Sequence, residues 1–569
     1  MGATNTLDRL AASVGLLDGV EIKFQPALDV PHGGVLFAVP ALLVCGLLQH
    51  TEKYFSLPKG YYQMPSIFVL LAFMSLCRLR SVEQLRYHAP GEWGKLLGLD
   101  RVPEVRTLRE KIRRLAEDGR PEAWSTELCT QWMEESPEDA SILYIDGHVR
   151  VYHGQQTQLP RHYVARQRLC LRATTDYWVN AMDGQPFFLI SKAVDPGLIK
   201  VLEEEIVPQL EKLVPNQPTE QELKVDPLEH RFTLIFDREG YSPSLLERMK
   251  GRRIACLTYH KHAGEDWPDE EFQVRRVELA SGEVVEMALA ERGTFVGKKV
   301  WVREVRKKTE SGGQTSILST DYHTDLGRIA AAMFARWSQE NFFRYMREHY
   351  GLDRLVDYGT EEIPDTVRVV NPEYRDFDGQ VRRKAAIIGR KLAQFGAMSL
   401  QGEIEPKKVE KYQRKKAGLQ EDISQLQAEL DHLKAKRKAV DRHITVSQLP
   451  EDKRFRRLST QAKHLIDTIK MIAYRAETAM VHVVREQIAR GDDARSLLRA
   501  IYSAEADLLP DEEKGILTVR LHHLATHCAD ETLLHLCAEL NELEMRFPGT
   551  NLRLVYDLVS SQNPGDQDS

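Results

Sequence analysis

The chain has 569 residues, 28% of them charged and 42% hydrophobic, with a formal net charge of −6. That length is too great for one core and predicts three or four domains, while the composition excludes disordered, collagen-like and disulfide-scaffold classes. The mild acidity excludes a uniformly basic surface, so any contact with nucleic acid must be local.

Residues 1–138 predict a mostly helical domain, with Glu21–Val30 extended. Gly33–Leu48, interrupted by Pro40, and Met64–Cys77 are apolar but shorter than the ~20 residues a membrane span needs, and predict buried helices. No basic stretch leads into an apolar one at the N-terminus, so no signal peptide is expected. The seven cysteines (45, 77, 129, 170, 256, 528 and 537) form no Cys-x-x-Cys pair, which predicts reduced thiols in a cytoplasmic protein. Over 80–119 the pattern predicts a helix-turn-helix-like module for DNA binding. Ser81–Leu85 starts a helix, a glycine-rich break follows, and Pro103–Leu115 puts Leu108, Ile112 and Leu115 on one apolar face. Arg106, Arg109, Lys111, Arg113 and Arg114 occupy the other faces. Two readings stand for them: DNA contacts from a helix lying in a groove, or a solvated basic face.

From 139 the character changes. Strand-like runs occur at 142–145, 149–152, 168–172, 177–180, 187–190, 232–236 and 254–259. Asp183-Gly184 is a hairpin turn signal. Helical runs, 198–213 and 243–249, flank the 232–236 strand. Three early strands, a helix, a strand, a helix and a strand is the order of the ribonuclease-H-like fold. The predicted fold class is therefore multidomain α+β. A ribonuclease-H-like mixed α/β core (139–264 and 321–365) carries a β-rich insertion subdomain at 265–320 with its own small sheet. A helical C-terminal region spans 366–559, and 560–569 is a polar, disordered tail. Leu419, Ile423, Leu426, Leu430 and Leu433 form a short heptad seam, and Leu458, Leu465, Ile469 and Ile472 line a second helix. These predict a coiled-coil-like hairpin over 405–490, with a dimer zipper as the alternative.

Three acids stand out. Asp146 ends the apolar run 142–145, Asp237 ends 232–236, and Glu340 lies in the helical stretch 333–347. Two strand-end aspartates and a helix glutamate suit two divalent ions over a phosphodiester, Mg2+ with Mn2+ as a substitute. Strand alternation puts Asp146, His148 and Arg150 on one face, where His148 is either a phosphate contact or a polar strand edge. Arg336, Glu340, Arg344 and Arg347 share one helical face, as DNA-phosphate ligands or as a salt-bridged stripe.

These motifs resemble those of bacterial insertion-sequence DDE transposases, in the group marked by Tyr-x2-Arg-x3-Glu-x6-Lys with a β insertion before the glutamate. Here the pattern reads Met333-x2-Arg336-x3-Glu340-x6-Arg347, so methionine replaces the tyrosine and arginine the lysine. Asp237-Arg238-Glu239-Gly240-Tyr241-Ser242 resembles the group's second-acid motif. The resemblance covers 80–350 and implies a DNA transposase of the bacterial cytoplasm, nucleoid-associated when bound. It would bind the terminal inverted repeats of its element and perform metal-dependent cleavage and strand transfer. Asp146, Asp237 and Glu340 would be the catalytic metal ligands, double-stranded DNA of element ends and target the partner, and a homodimer the synaptic form. The alternatives are a ribonuclease-H-like nuclease without strand transfer and a catalytically inactive, transposase-derived repressor.

Other signals carry less. Gly293-x3-Gly297-Lys298-Lys299 is one residue short of a P-loop and lacks the following Ser or Thr. His522, His523, His527 and Cys528 lack a paired cysteine or acidic third ligand and predict packing or surface roles. Trp267 and Trp301 predict core packing.

Overall fold

The computed structural model describes residues 4–154, 159–164, 167–279, 283–297, 300–334, 337–354, 360–399, 406–451, 454, 456–485, 487–488 and 491–559. The protein is a multidomain α+β molecule with mixed sheets. It divides into a larger unit (1–152, 162–359 and 459–569) and a smaller one (153–161 and 360–458).

Near the start of the larger unit lies a buried helix, α1 (Met64–Leu76), apolar on nearly every side. A second helix, α2 (Val105–Asp118), buries Val105, Leu108, Ile112 and Leu115, the face its periodicity predicts. Among the described residues no helix is long and apolar enough to cross a membrane. All seven cysteines are free thiols.

The main sheet has ten strands. Its first half comprises β1 (Ile142–Val151), β2 (Leu169–Asn180), β3 (Pro186–Lys192), β4 (Thr233–Phe236) and β5 (Ala255–Tyr259), with the short strand Arg161–Val164 pairing with β2. Two pairs of short predicted runs prove continuous: 142–145 joins 149–152 as β1, and 168–172 joins 177–180 as β2. β2 is antiparallel to β1 and β3, while β1 is parallel to β4 and β4 to β5. β4 is buried at all four residues, as a parallel strand covered on both faces must be.

The second half comprises β6 (Gln273–Glu278), β7 (Val284–Val296), β8 (Val300–Lys308) and β9 (Gln314–Ser319). Here the structure corrects an expectation. The 265–320 segment is not a separate small sheet, because β9 pairs antiparallel with β5 and the meander extends the main sheet. The free edge of β5 would otherwise present unpaired backbone groups. Two helices follow, α3 (Leu326–Phe334) and α4 (Trp337–His349).

The C-terminal region also departs from expectation. It is not helical throughout: Ala506–Asp511, Ile516–Leu521 and Arg553–Leu558 form a four-stranded sheet with Ala27–Val30 from the other end of the chain. The last two strands alternate half-buried and buried residues, a period-two signal short enough to be lost among helices.

The predicted 405–490 hairpin has a different partner. In the smaller unit α5 (Pro372–Gly396) packs against α6 (Pro406–Ala439). Val381 and Ile388 meet Leu430, Leu426 and Leu433, and Lys391–Asp422 (2.6 Å), Arg437–Asp378 (2.6 Å) and Lys384–Glu429 pair across them. The heptad seam of α6 is thus met by the preceding helix. The following helix, α7 (Gln461–Arg485), belongs to the larger unit.

α7 is buried along nearly its whole length against α1, α2 and Pro121–Glu135, yet it is not apolar. Lys463 Nζ lies 2.8 Å from Asp467 and 3.1 Å from Asp176 on β2. Arg150 on β1 lies 3.1 Å from Asp467 and 3.2 Å from Asp176. Burial pushes both carboxyls up, but Lys463 and Arg150 reverse that and hold them below the usual range. A second buried carboxylate, Glu477, accepts from Arg78 (2.6 Å), from Tyr345 of α4 (2.6 Å) and from Tyr350.

Lys463→Met removes one cation from the Asp176–Asp467 pair. Stability at neutral pH should fall by about 3 kcal/mol, as when one side of a buried ion pair is lost. Carboxyls with lowered folded pKa values stabilise fully above about pH 4 and lose that effect as pH falls, so the acid-unfolding midpoint should move upward in the variant. Melts and an acid titration followed by circular dichroism measure both. An unchanged midpoint and melt would mean that the network contributes nothing to folding.

Candidate active site where two parallel strands part

β1 and β4 run side by side in parallel register, from Ile142 opposite Thr233 to Ile145 opposite Phe236. One step further along are Asp146 and Asp237. Neighbouring strands lie ~4.8 Å apart, so the end of β4 comes beside the middle of β1, which runs on to Val151 against β2.

Local chemistry holds each one. Asp237 ends β4 and caps a 3-10 turn, Arg238–Gly240, its Oδ1 accepting from the Glu239 amide (2.8 Å). Thr258 on β5 donates to the Asp237 carbonyl (3.0 Å). Gly240 is required there, because a Cβ would come within 2.3 Å of the Phe236 ring. Asp146 is half-buried, and its Oδ1 accepts from the Gly147 amide (2.8 Å). Gly147 lies opposite Tyr177, and a Cβ there would sit 3.2 Å from that ring.

Two further acids join them that sequence reasoning did not single out. Asp195, after β3, accepts from Tyr177 Oη (2.6 Å), Gly197 N (2.8 Å) and Thr175 Oγ1 (3.1 Å). Glu239 is pushed above the usual carboxyl range by burial and then by the charges of Asp237 and Asp195. The Tyr177 hydroxyl is raised by burial and then by Asp195, with Glu239 and Asp146 adding to it. The charges of Asp237 and Asp195 thus act on Glu239, and those of Asp195, Glu239 and Asp146 act on Tyr177. Glu239 lies within the second-acid motif; Asp195 has no local signal, since only the β2–β3 pairing brings it to Tyr177.

α4 packs over this part of the sheet. Phe342 and Phe343 meet Trp178, the register partner of Asp146, at ring-centroid distances of 5.4 and 6.3 Å. Phe343 also stacks on His148 at 5.6 Å. Glu340 lies on α4, one turn before Phe343; its side chain lies outside the described residues, as does the whole of Arg336. Arg344 is exposed, and Arg347 is half-buried with Nε donating to the Phe343 carbonyl (3.2 Å). Met333, at the tyrosine position of the family pattern, is fully buried.

Other expected DNA contacts are spent within the protein. The face holding Asp146, His148 and Arg150 is covered by α4 and α7, so His148 is 6% exposed and bound to Asp353 (2.6 Å). This corrects its reading as a phosphate contact. On α2, Arg109 pairs with Glu83, Arg113 with Glu110 (2.9 Å) and Glu117 (2.8 Å), and Arg114 with Glu110 (2.8 Å). Lys111 is partly buried, its amine lowered by desolvation and donating to the Tyr62 carbonyl (3.3 Å). Arg106 is exposed and has no ion pair among the described residues.

Among the described residues, the groups of three potential metal ligands whose donor atoms lie within 4.8 Å of one another are Asp29–Asp507–His522 and Asp226–Glu229–His323, and neither includes Asp146 or Asp237. In the first, Asp507 is already paired with Arg520 (2.9 Å) and His522 (3.1 Å). His523 pairs with Asp530 and His527 with Glu531, so the C-terminal histidines have surface partners. Trp267 is buried between Arg292 and Arg306 as expected, but Trp301 is 44% exposed against Phe295. Its indole lies against Gly293, where a Cβ would clash at 1.9 Å.

A family model described as "Transposase protein" matches residues 1–560. No curated protein matches the chain. Among solved structures, a piggyBac transposase synaptic complex with hairpin DNA aligns at 10% identity over 84% of this chain and 85% of that one. Its TM-score of 0.28 is too low to establish a shared fold. On the family match, which spans nearly the whole chain, this protein belongs to the transposase family.

Proposed function

We propose that this transposase cuts and joins DNA where β1 and β4 part, as a DDE enzyme of the bacterial insertion-sequence type with Asp146, Asp237 and Glu340 as its acidic triad. The observation that carries the reading is the parallel register, Ile145 opposite Phe236, which puts Asp146 within β1 beside Asp237 at the end of β4, where α4, bearing Glu340, packs. The strand sequence β3-β2-β1-β4-β5, antiparallel then parallel, is that of a ribonuclease-H-like core and supports it. Open α/β sheets also bind ligands beyond the carboxyl ends of their strands.

The donor set suits divalent metal. It is all oxygen, and burial and then the charges of Asp237 and Asp195 push Glu239 above the usual carboxyl range. Asp146, Asp237 and Glu340 would hold two Mg2+ ions, which Mn2+ can replace. When bound, the ions supply activation of the attacking hydroxyl and stabilisation of the leaving oxygen. The chain's own residues do the positioning. The turn at Gly240 and the Thr258 bond fix Asp237, while Phe342 and Phe343 set the height of α4 over β1. Arg344 and Arg347, four and seven residues after Glu340, hold DNA phosphates on the same helical face. The substrates are the terminal inverted repeats of the element and a target duplex. A homodimer would bring two ends together.

Asp146→Asn, Asp237→Asn and Glu340→Gln should each lower cleavage of an element-end duplex in Mg2+ by at least about a thousandfold, equivalent to about 4 kcal/mol of lost transition-state stabilisation. DNA binding and melting temperature should stay near wild type. Near-normal cleavage by any one variant removes that residue from the triad. Cleavage by the wild type without any joined product reduces the reading to a nuclease.

Metal should also be visible without turnover. Mg2+ or Mn2+ at a hundred times its Kd should stabilise the folded protein by about 2.7 kcal/mol, reversed by chelator. The gain should shrink in the Asp146→Asn, Asp237→Asn double variant. Differential scanning fluorimetry reads both, and an equal gain in the variant would place the metal elsewhere.

A further inference from the structure

The charge of this chain is divided between its two units. Residues 153–161 and 360–458, the smaller unit, contain 23 lysines and arginines against 16 aspartates and glutamates. Its formal charge is therefore +7 within a chain of −6, leaving −13 on the rest. The local basic surface that an acidic DNA-acting protein requires is thus concentrated in the helical hairpin.

Within the hairpin the excess lies at one end. The first turns of α6, residues 406–416, carry six cations and one acid, Glu410. Arg414 pairs with Glu410 (2.6 Å). Lys407, Lys411 and Lys415 are exposed and have no ion pair among the described residues. Their spacing of four puts them in one stripe along the helix, ~12 Å long at 1.5 Å per residue. Elsewhere on the hairpin half of the ten cations hold a carboxylate: Lys384, Lys391, Arg382, Lys434 and Arg437. The stripe also lies at the positive end of the helix dipole, where cations are unfavourable and an anion relieves them.

We infer that the lysine stripe at the start of α6 is a second DNA-contact surface, which grips the phosphate backbone of a duplex without reading its bases. The inference rests on the chain acting on DNA as a transposase. Lysine suits the role because it offers a mobile point charge with no fixed hydrogen-bonding plane, and phosphate contacts position a protein on DNA without specifying sequence.

The test uses the full-length chain and a fluorescently labelled duplex of arbitrary sequence, with anisotropy recorded over a series of salt concentrations. Each phosphate contact contributes a slope of about 0.9 in log K against log salt. The triple variant Lys407→Gln, Lys411→Gln, Lys415→Gln should lose about 2 to 3 from that slope, with an unchanged circular dichroism spectrum. The triple arginine variant, which keeps the charges, should retain the wild-type slope. An unchanged slope in the glutamine variant overturns the lysine stripe as a DNA contact while leaving the transposase reading intact. Failure of the wild type to bind any duplex overturns both.

Discussion

A helix buried on nearly all sides is ordinarily apolar, because each charge taken from water costs several kcal/mol unless it is compensated. α7 carries Lys463, Asp467 and Glu477 into the interior, and the larger unit is arranged around their neutralisation. Asp467 and Lys463 are matched by Arg150 and Asp176 from two neighbouring strands. Glu477 is matched by Arg78, just beyond α1, and by Tyr345 of α4. Such contacts are poor sources of net stability but strong sources of specificity, since a displaced partner leaves a buried charge exposed to its full desolvation cost. They fix where the sheet, α1 and α4 meet.

That constraint reaches the candidate site. α4 is held at one end by Tyr345 on Glu477 and in its middle by Phe342 and Phe343 on Trp178 and His148. The ring stacked on His148 lies against β1 two residues from Asp146, so the helix bearing Glu340 has little freedom to slide along the strand. Precision of this kind is what a two-metal site demands, since the ions stabilise charge only where their ligands place them. Near Asp237, Glu239 is raised by burial and then by the charges of Asp237 and Asp195. The basic character of the chain is found in the smaller unit.

The sequence by itself determined the local chemistry. Apolar runs ending in Asp146 and Asp237 were legible as strands because β-branched and aromatic residues bounded by turn residues leave few alternatives. The buried face of α2, the apolar α1 and the seam of α6 followed from periodicity. Only the tertiary structure decided what those faces meet. The seam of α6 is met by the helix before it, and α7 enters the other unit, because any complementary apolar face satisfies a heptad and periodicity does not name the partner. His148 was recognisably on the face of Asp146, but whether that face met solvent depended on α4 and α7, more than 180 residues away in the chain. The 265–320 strands joined the main sheet because β5 had an unpaired edge, a property of the sheet and not of either strand. Ala27–Val30 found its partner at Ala506–Asp511 for the same reason. Asp195 reached Tyr177 only through the pairing of β2 with β3. Side-chain pattern is local and is written in the sequence; the choice among equally suitable partners is made by the burial and pairing of the whole unit at once.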